Sequence, residues 1–368
     1  MNKNNKPISH IDLKSQWIDE RDELMPIIDR VMSSGKFILE TECEEFEESV
    51  AKLCGVKYAA ALNSGTDALI YALTLSGIKK GDEVITPANS FIASTSSIVH
   101  IGAKPVFVDV LPNQNIDPSK IERAITGNTK AIMPVHLTGR VCDMDPILEI
   151  AKRHNLLVVE DAAQAIGSKY KGRSSGSIGD IGCFSTHPLK NLNACGDGGF
   201  VTTNDKDIYE KIKKFRNHGK ISQYKISHFG MVSRMDNLQA AILNYRLEKL
   251  DKLTQKRRNN AKKYIEEINQ ENIFIPHEKS YEFNTYHTFV IQTNRRDELK
   301  EHLLNQGIKT AIHYPIPIHL QRASRGLGYK DGDLPVTEKQ AKEILTLPVN
   351  QYLTNFDIER VIDAVNSF

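Results

Sequence analysis

A chain of 368 residues is longer than one ordinary core requires and points to two domains, one of them large. Its 40% hydrophobic and 26% charged content is that of a soluble globular protein. With 48 basic against 46 acidic residues the net charge is +2, which argues for neither a nucleic-acid nor a membrane partner but leaves room for a local basic pocket.

The start, Met1-Asn-Lys-Asn-Asn-Lys6, is polar and leads into no apolar core, so no signal peptide is expected. No run approaches the roughly 20 apolar residues of a membrane helix. From about 55 to 205 the pattern alternates. Strands are predicted at 58–62, 83–86, 105–110, 131–135, 156–160, 182–185 and 200–203, with helical periodicity between several of them, as at 68–75 and 146–154. Such alternation predicts an α/β fold with a mostly parallel sheet, whose ligands bind beyond the carboxyl ends of the strands. A long helix is predicted over 235–255. After the basic cluster Lys256-Arg-Arg258 the character changes to a helix at 261–268, a strand pair around 286–292 and a helix near 297–306. The boundary is placed near 250, giving a large domain 1–250 and a smaller α+β domain 251–368. The five cysteines are irregularly spaced and form no CxxC pair, so neither a metal site nor a disulfide framework is expected, and the chain reads as cytoplasmic.

Two residues carry the chemistry. Asp161 follows the apolar strand Leu156-Leu-Val-Val-Glu160, and Lys190 lies on a later loop, in Phe184-Ser-Thr-His-Pro-Leu-Lys190. That pairing suits pyridoxal phosphate: the lysine can form a Schiff base with the aldehyde, and the aspartate can hold a proton on the pyridine nitrogen. Alone, Lys190 would be a solvated surface lysine. The neighbouring Gly196-Asp-Gly-Gly199 turn, able to pack backbone against a cofactor, favours a buried and readily deprotonated amine instead. For Asp161 the plain alternatives are a helix cap or a loop acid. Against them stands Ala162-Ala-Gln164, whose small residues leave room for a flat ring and whose Gln164 can bond its phenolic oxygen.

Asn63-Ser-Gly65-Thr66-Asp67 joins a strand to a helix, where bare amides and the helix dipole favour a phosphate and Gly65 permits close approach. By itself the junction is more often a simple cap. Ser185 points toward the same place, or is a buried hydroxyl. Phe91, just past a strand end, stacks on the ring face or belongs to the core with equal weight. In His313-Tyr-Pro-Ile-Pro-Ile-His319, residues His313, Tyr314 and His319 can face a substrate, although each single histidine of the twelve is more often structural.

These stretches, together with Gly81-Asp-Glu-Val-Ile-Thr-Pro87, Arg216-Asn-His-Gly219 and Leu238-Gln-Ala-Ala241, resemble the DegT/DnrJ/EryC1/StrS family of pyridoxal-phosphate-dependent sugar aminotransferases from about Ile8 to Val349. The resemblance implies the aspartate aminotransferase fold (fold type I) and a homodimer with shared active sites. It implies Lys190 as the Schiff-base lysine, Asp161 at the ring nitrogen, Gln164 at the phenolic oxygen, Phe91 on the ring face, and Gly65, Thr66 and Ser185 at the phosphate. One departure stands out: where the family commonly reads Gly-x-Asn-x-Arg, this chain reads Gly230-Met-Val232-Ser-Arg234, keeping Arg234 but losing an asparagine that reaches the neighbouring subunit's phosphate. The implied activity is amino transfer, from L-glutamate, to a nucleotide-linked keto-deoxysugar. Gly196-Asp197-Gly-Gly199 leans toward a dTDP-linked 3-keto-6-deoxyhexose, by association only. The alternatives are a 4-keto sugar nucleotide, a sugar dehydratase of the same family (relatives of that kind typically carry histidine at the lysine position) and a non-catalytic regulatory relative.

Overall fold

The computed structural model describes residues 7–368; the polar start Met1–Lys6, with its signal-peptide expectation, lies outside the described residues. Two helices that the sequence patterns had not marked come first. Helix α1 (Leu13–Ser34) begins at Asp12, whose carboxylate accepts the Ser15 amide at 2.9 Å, and ends where Gly35 turns left-handed at φ +67. Helix α2 (Thr41–Cys54) buries Phe46 and Val50 under the sheet.

The alternating region then builds one seven-stranded sheet. In chain order come β1 (Tyr58–Leu62), α3 (Gly65–Leu75), β2 (Glu83–Pro87), α4 (Ile92–His100), β3 (Lys104–Val108), β4 (Thr129–Ile132), α5 (Met144–His154) and β5 (Leu157–Asp161). Short β6 (Lys169–Tyr170) and β7 (Arg173–Ser174) precede β8 (Ile181–Ser185), β9 (Gly199–Thr203) and α6 (Lys206–Phe215). The order across the sheet is β1-β9-β8-β5-β4-β2-β3. Pairing is parallel from β8 through β3, and β9 runs antiparallel to both of its neighbours. All five residues of β2 and of β9 are buried, as expected when helices cover both faces of a sheet. Every strand predicted between 58 and 203 is present, shifted at most by a few residues at its ends.

Two expectations for the second half are corrected. Helix α7 (Asn237–Glu267) runs unbroken for 31 residues, through the basic cluster that had been read as a change of character. Lys and Arg are good helix formers, and Arg257 lies on the buried face of α7, so nothing interrupts the helix. The strand pair expected near 286–292 does not form locally. Strand β10 (Glu282–Phe283) pairs with β6, and β11 (Phe289–Gln292) pairs across α8 (Arg296–Asn305) and α9 (Pro335–Glu343) with β12 (Ile344–Leu347). A last helix, α10 (Asn355–Asn366), starts with a Thr354/Asp357 capping box.

The far half of α7 turns to a core of its own: Ala261 and Tyr264 pack with Phe289, Ile291, Leu345 and Ile358. Ile8 joins that core from the other end of the chain, its amide bonded to the Gly307 carbonyl at 2.9 Å. No helix among the described residues is long and apolar enough to cross a membrane.

Candidate active site

Parallel strands deliver their carboxyl ends to one side of the sheet, and there a cavity of about 450 Å³ opens. Asp161 is the last residue of β5, buried, with its backbone tied between the strand and the turn that follows β4 through Pro134 and His136. Its carboxylate is oriented from two sides: Ser94, on α4, donates its hydroxyl at 2.7 Å, and the Ala163 amide donates at 3.2 Å. One short strand end and one helix thus aim a carboxylate into the cavity.

Lys190 faces it from the loop after β8. That loop is fastened at several points: Thr186 donates to Gly198, Ala194 donates to Thr186, and the Asn193 side chain donates to the Pro188 carbonyl. Lys190 is half-buried in the cavity wall. Desolvation lowers its pKa to about 8, and the Asp161 charge pulls partly back upward. The amine is therefore within reach of its free-base form near neutral pH, which a surface lysine is not.

The N-terminus of α3 closes a third side. Ser64 caps it by accepting the Asp67 amide at 3.1 Å, leaving Gly65 and Thr66 with unclaimed helix-end amides at the cavity. Gly65 sits directly against β8: a Cβ there would come within 2.6 Å of the Ser185 Cβ. Only a residue without a side chain lets that helix end and Ser185 line the same cradle.

Gln164 lines the cavity with its amide fixed, because its Oε1 accepts the Thr138 amide at 2.9 Å and its Nε2 then points to the Tyr314 hydroxyl at 3.5 Å. Burial, opposed in part by that Gln164 bond, pushes the Tyr314 phenol up to about 12, so it remains protonated. Phe91 is more than half exposed and its ring lies 6.1 Å from that of Tyr314. The core alternative for Phe91 is thereby excluded. His313 also reaches the cavity, its Nδ1 2.9 Å from the Thr346 hydroxyl.

Nine of the residues singled out from sequence therefore surround one cavity: Gly65, Thr66, Phe91, Asp161, Gln164, Ser185, Lys190, His313 and Tyr314. Two do not. His319 is corrected: it is buried and does not line the cavity, its Nε2 lying 3.0 Å from the carboxylate of Glu338, which accepts the Gly332 and Leu334 amides of the turn before α9. Arg234 lies in a neighbouring depression with Asn63, Asp67 and Gln239, where its Nη1 donates to Asn217 at 3.0 Å. Val232, the departure from the family pattern, is exposed close by.

Other lining residues escaped the sequence reading: Ser94, His10, His287 and Arg257. For Arg257 a signal existed. It stands at i+7 from Leu250 and i−4 from Ala261, on the apolar stripe of α7, where an arginine needs a reason.

The family's model, described as the DegT/DnrJ/EryC1/StrS aminotransferase family, matches residues 18–366, and the chain belongs to that family. A Geobacillus stearothermophilus "pleiotropic regulatory protein" is 42% identical over 97% of each chain. A Streptomyces venezuelae dTDP-3-amino-3,4,6-trideoxy-alpha-D-glucose transaminase is 40% identical over 98% of this chain and 96% of its own. An Acidithiobacillus ferrooxidans relative named for 3-amino transfer to UDP-N-acetyl-3-dehydro-alpha-D-glucosamine is likewise 40% identical, over 98% of each chain. Among solved structures, S. venezuelae DesV in complex with a ketimine intermediate superposes with a TM-score of 0.96 at 40% identity, covering 98% of each chain. Bacillus subtilis NtdA with bound cofactor PMP superposes at 0.88 with 34% identity, covering 94% of this chain and 81% of its own.

Proposed function

We propose that this protein, a sugar aminotransferase that uses pyridoxal phosphate, moves an amino group from L-glutamate to C3 of a dTDP-linked 3-keto-6-deoxyhexose. The observation that carries the reading is the Lys190 amine and the Asp161 carboxylate facing one cavity closed by the N-terminus of α3. When bound, pyridoxal phosphate supplies an aldehyde that takes up the amino group and a ring that stores the released electron pair. The residues of the cavity fit that group. The amides of Gly65 and Thr66, with the Ser185 hydroxyl, offer an anion cradle for its phosphate. Asp161, held by Ser94, keeps a proton on the ring nitrogen. Gln164 Nε2, one of whose N–H groups points to the Tyr314 hydroxyl, has a second N–H to donate to the phenolic oxygen, and Phe91 offers a ring face at the cavity mouth. Lys190 would hold the cofactor at its aldehyde carbon and would be the group that carries a proton at the donor Cα.

Support for the sugar comes from relatives. The S. venezuelae and A. ferrooxidans proteins are both named for amino transfer at C3, on dTDP- and UDP-linked sugars respectively. In this reading His313 and the protonated Tyr314 hydroxyl face the sugar. The protein works as a cytoplasmic homodimer, for which Ile18 and Met32 on α1 and the fully exposed Phe229 supply uncovered apolar surface. Arg234 then faces the partner's cavity without the help of an asparagine at Val232. The division into domains 1–250 and 251–368 stands as part of the same proposal, supported by the separate core beyond the middle of α7.

The regulatory name of the G. stearothermophilus relative favours a second reading, a non-catalytic binder. The spectrum of purified protein separates the two: an absorbance band near ~420 nm that disappears on borohydride reduction marks a cofactor bonded to lysine. Substrate is tested by offering glutamate with a panel of dTDP-, UDP- and GDP-linked 3-keto and 4-keto sugars. Amination of 4-keto sugars with none of the 3-keto isomers would sink the C3 assignment and leave the aminotransferase standing.

A further inference from the structure

Behind Asp161, on the face of β5 turned away from the cavity, lies a second carboxylate. Strand alternation sends Glu160 into the interior, where it is fully buried. It accepts four hydrogen bonds. Its Oε1 takes the amides of Ile178 and Gly179 at 2.7 and 2.6 Å, and its Oε2 takes the Gly176 amide and His136 Nε2 at 2.8 Å each.

These partners fix the charge. His136 Nδ1 accepts the Cys142 amide at 3.2 Å, so that nitrogen carries a lone pair and the ring proton stands on Nε2. Every group around Glu160 is then a donor, and none could accept from a protonated carboxyl. Glu160 is therefore an anion and His136 a neutral imidazole. Among the described residues no other titratable group lies within ion-pair distance of Glu160, so the pair holds one uncompensated negative charge. Four donors offset the cost of burying an anion without cancelling its charge. Both side chains are sealed from solvent, which leaves the field of that charge poorly screened.

The same pair grips the backbone of Asp161. The His136 amide donates to the Asp161 carbonyl at 2.9 Å, and the Asp161 amide donates to the Pro134 carbonyl at 3.0 Å. On its other edge Asp161 pairs with Cys183 of β8, the strand that follows the turn Glu160 holds by three amides. The Asp161 carboxylate, steered by Ser94 and the Ala163 amide, thus stands on a peptide clamped from both sides, with a fixed negative charge one residue behind it.

We propose that Glu160 is a positioning residue of the cofactor site: it acts through Asp161, presenting that carboxylate and adding a second negative charge that favours the protonated ring nitrogen of pyridoxal phosphate. The inference rests on the reading that places Asp161 at that nitrogen. A unit charge about 10 Å away, at an effective dielectric constant of about 20, shifts a proton equilibrium by on the order of one pH unit, or tenfold. His136 supplies a donor that keeps Glu160 ionised while adding no charge of its own.

The test uses the full-length protein loaded with ring-¹⁵N pyridoxal phosphate, whose nitrogen resonance reports the ring proton directly. Glu160→Gln, checked for folding by its melting curve, is expected to move that resonance toward the free-base position and to lower kcat about 10-fold. His136→Lys leaves Glu160 and its three amides in place but brings a countercharge, and is expected to move the resonance the same way, which keeps the test open if Glu160→Gln does not fold. His136→Gln leaves the negative charge uncompensated and is expected to keep the wild-type resonance. A role in folding alone moves no resonance, so an unmoved signal in folded Glu160→Gln or His136→Lys overturns the proposal. Equal displacement in His136→Gln overturns it as well. Asp161→Asn separates this inference from the reading beneath it. A resonance that Asp161→Asn leaves in place removes Asp161 from the ring nitrogen, whereas one that moves there but not in Glu160→Gln removes Glu160 alone.

Discussion

Lys190 owes its lowered pKa to where it is buried. Lys190→Ala is expected to abolish amino transfer by more than ~10⁴-fold while the protein stays folded, because in the proposed function one amine would serve both as the bond to the cofactor and as the proton carrier. Turnover near the wild-type rate in the purified variant would take Lys190 out of both roles. Its pKa of about 8 gives a second expectation. The lowered value means that the proton is lost as pH rises through 8, whereas surface lysines stay charged to about 10.4. In cofactor-free protein, acylation of Lys190 by an amine-selective reagent, followed by peptide mass spectrometry, should therefore rise with a midpoint near pH 8; a midpoint with the other lysines would contradict it. Asp161→Asn should keep the cofactor but lower kcat by about 100-fold or more, since an amide bonds to the ring nitrogen without holding its charge. A variant with unchanged kcat would mean that the ring is held in another way.

At the scale of elements, the site depends on how closely α3 packs on β8 and β9. A Cβ on Gly65 would meet Ser185 Cα at 3.0 Å as well as its Cβ, and a Cβ on Gly199 would meet the Gly65 nitrogen at 2.5 Å. These are backbone and short side-chain contacts that cannot swing aside. Gly65→Ala is expected to cost roughly 1–3 kcal/mol of stability and to weaken cofactor binding by pushing the helix end away from Ser185. Denaturant unfolding and cofactor titration check the two effects. A variant as stable as wild type, with cofactor affinity intact, would show that the cradle has slack. The left-handed exit of α1 at Gly35 and the capping box of α10 show the same economy, in which local residue chemistry sets where an element stops or starts.

Across the whole molecule, one buried ion pair connects the N-terminal helix, the long helix and the loop that carries Lys190. Arg246 on α7 donates through Nε and Nη2 to Glu20 of α1 at 2.9 and 2.8 Å, and through Nη1 to the Asn193 carbonyl at 2.7 Å. Gln16 of α1 exchanges hydrogen bonds with the Asn193 side chain, so α1 supports the loop that carries Lys190. Arg246→Ala leaves Glu20 buried without its cation and is expected to destabilise by about 3–5 kcal/mol. Activity should fall even below the unfolding transition, as the loop loses a support. Unfolding at the wild-type denaturant midpoint would show that α1 and the loop are held mainly by other contacts.

The sequence by itself determined the strands between 58 and 203, the placement of Asp161 at a strand end and of Lys190 on a later loop. Each of these is written in a few consecutive residues: apolar runs, small residues after an acid, glycines at a tight turn. The nine residues that meet in the cavity were legible for the same reason. Only the tertiary structure decided the rest. The antiparallel insertion of β9, the pairing of β11 with β12 and the joining of Ile8 to the C-terminal core are agreements between segments far apart in the chain, which leave no local pattern. Glu160 and Asp161 are adjacent carboxylates with opposite fates, since strand alternation sends Glu160 to accept the amides of Gly176, Ile178 and Gly179 while Asp161 turns to the cavity. His313 and His319 look alike in sequence, yet Glu338 claims one and the cavity receives the other. Arg257 stands in the basic cluster where the sequence changes character, and only the unbroken course of α7 places it on a buried face. Burial belongs to the assembled molecule, and it is burial that separates a functional charge from an ordinary one.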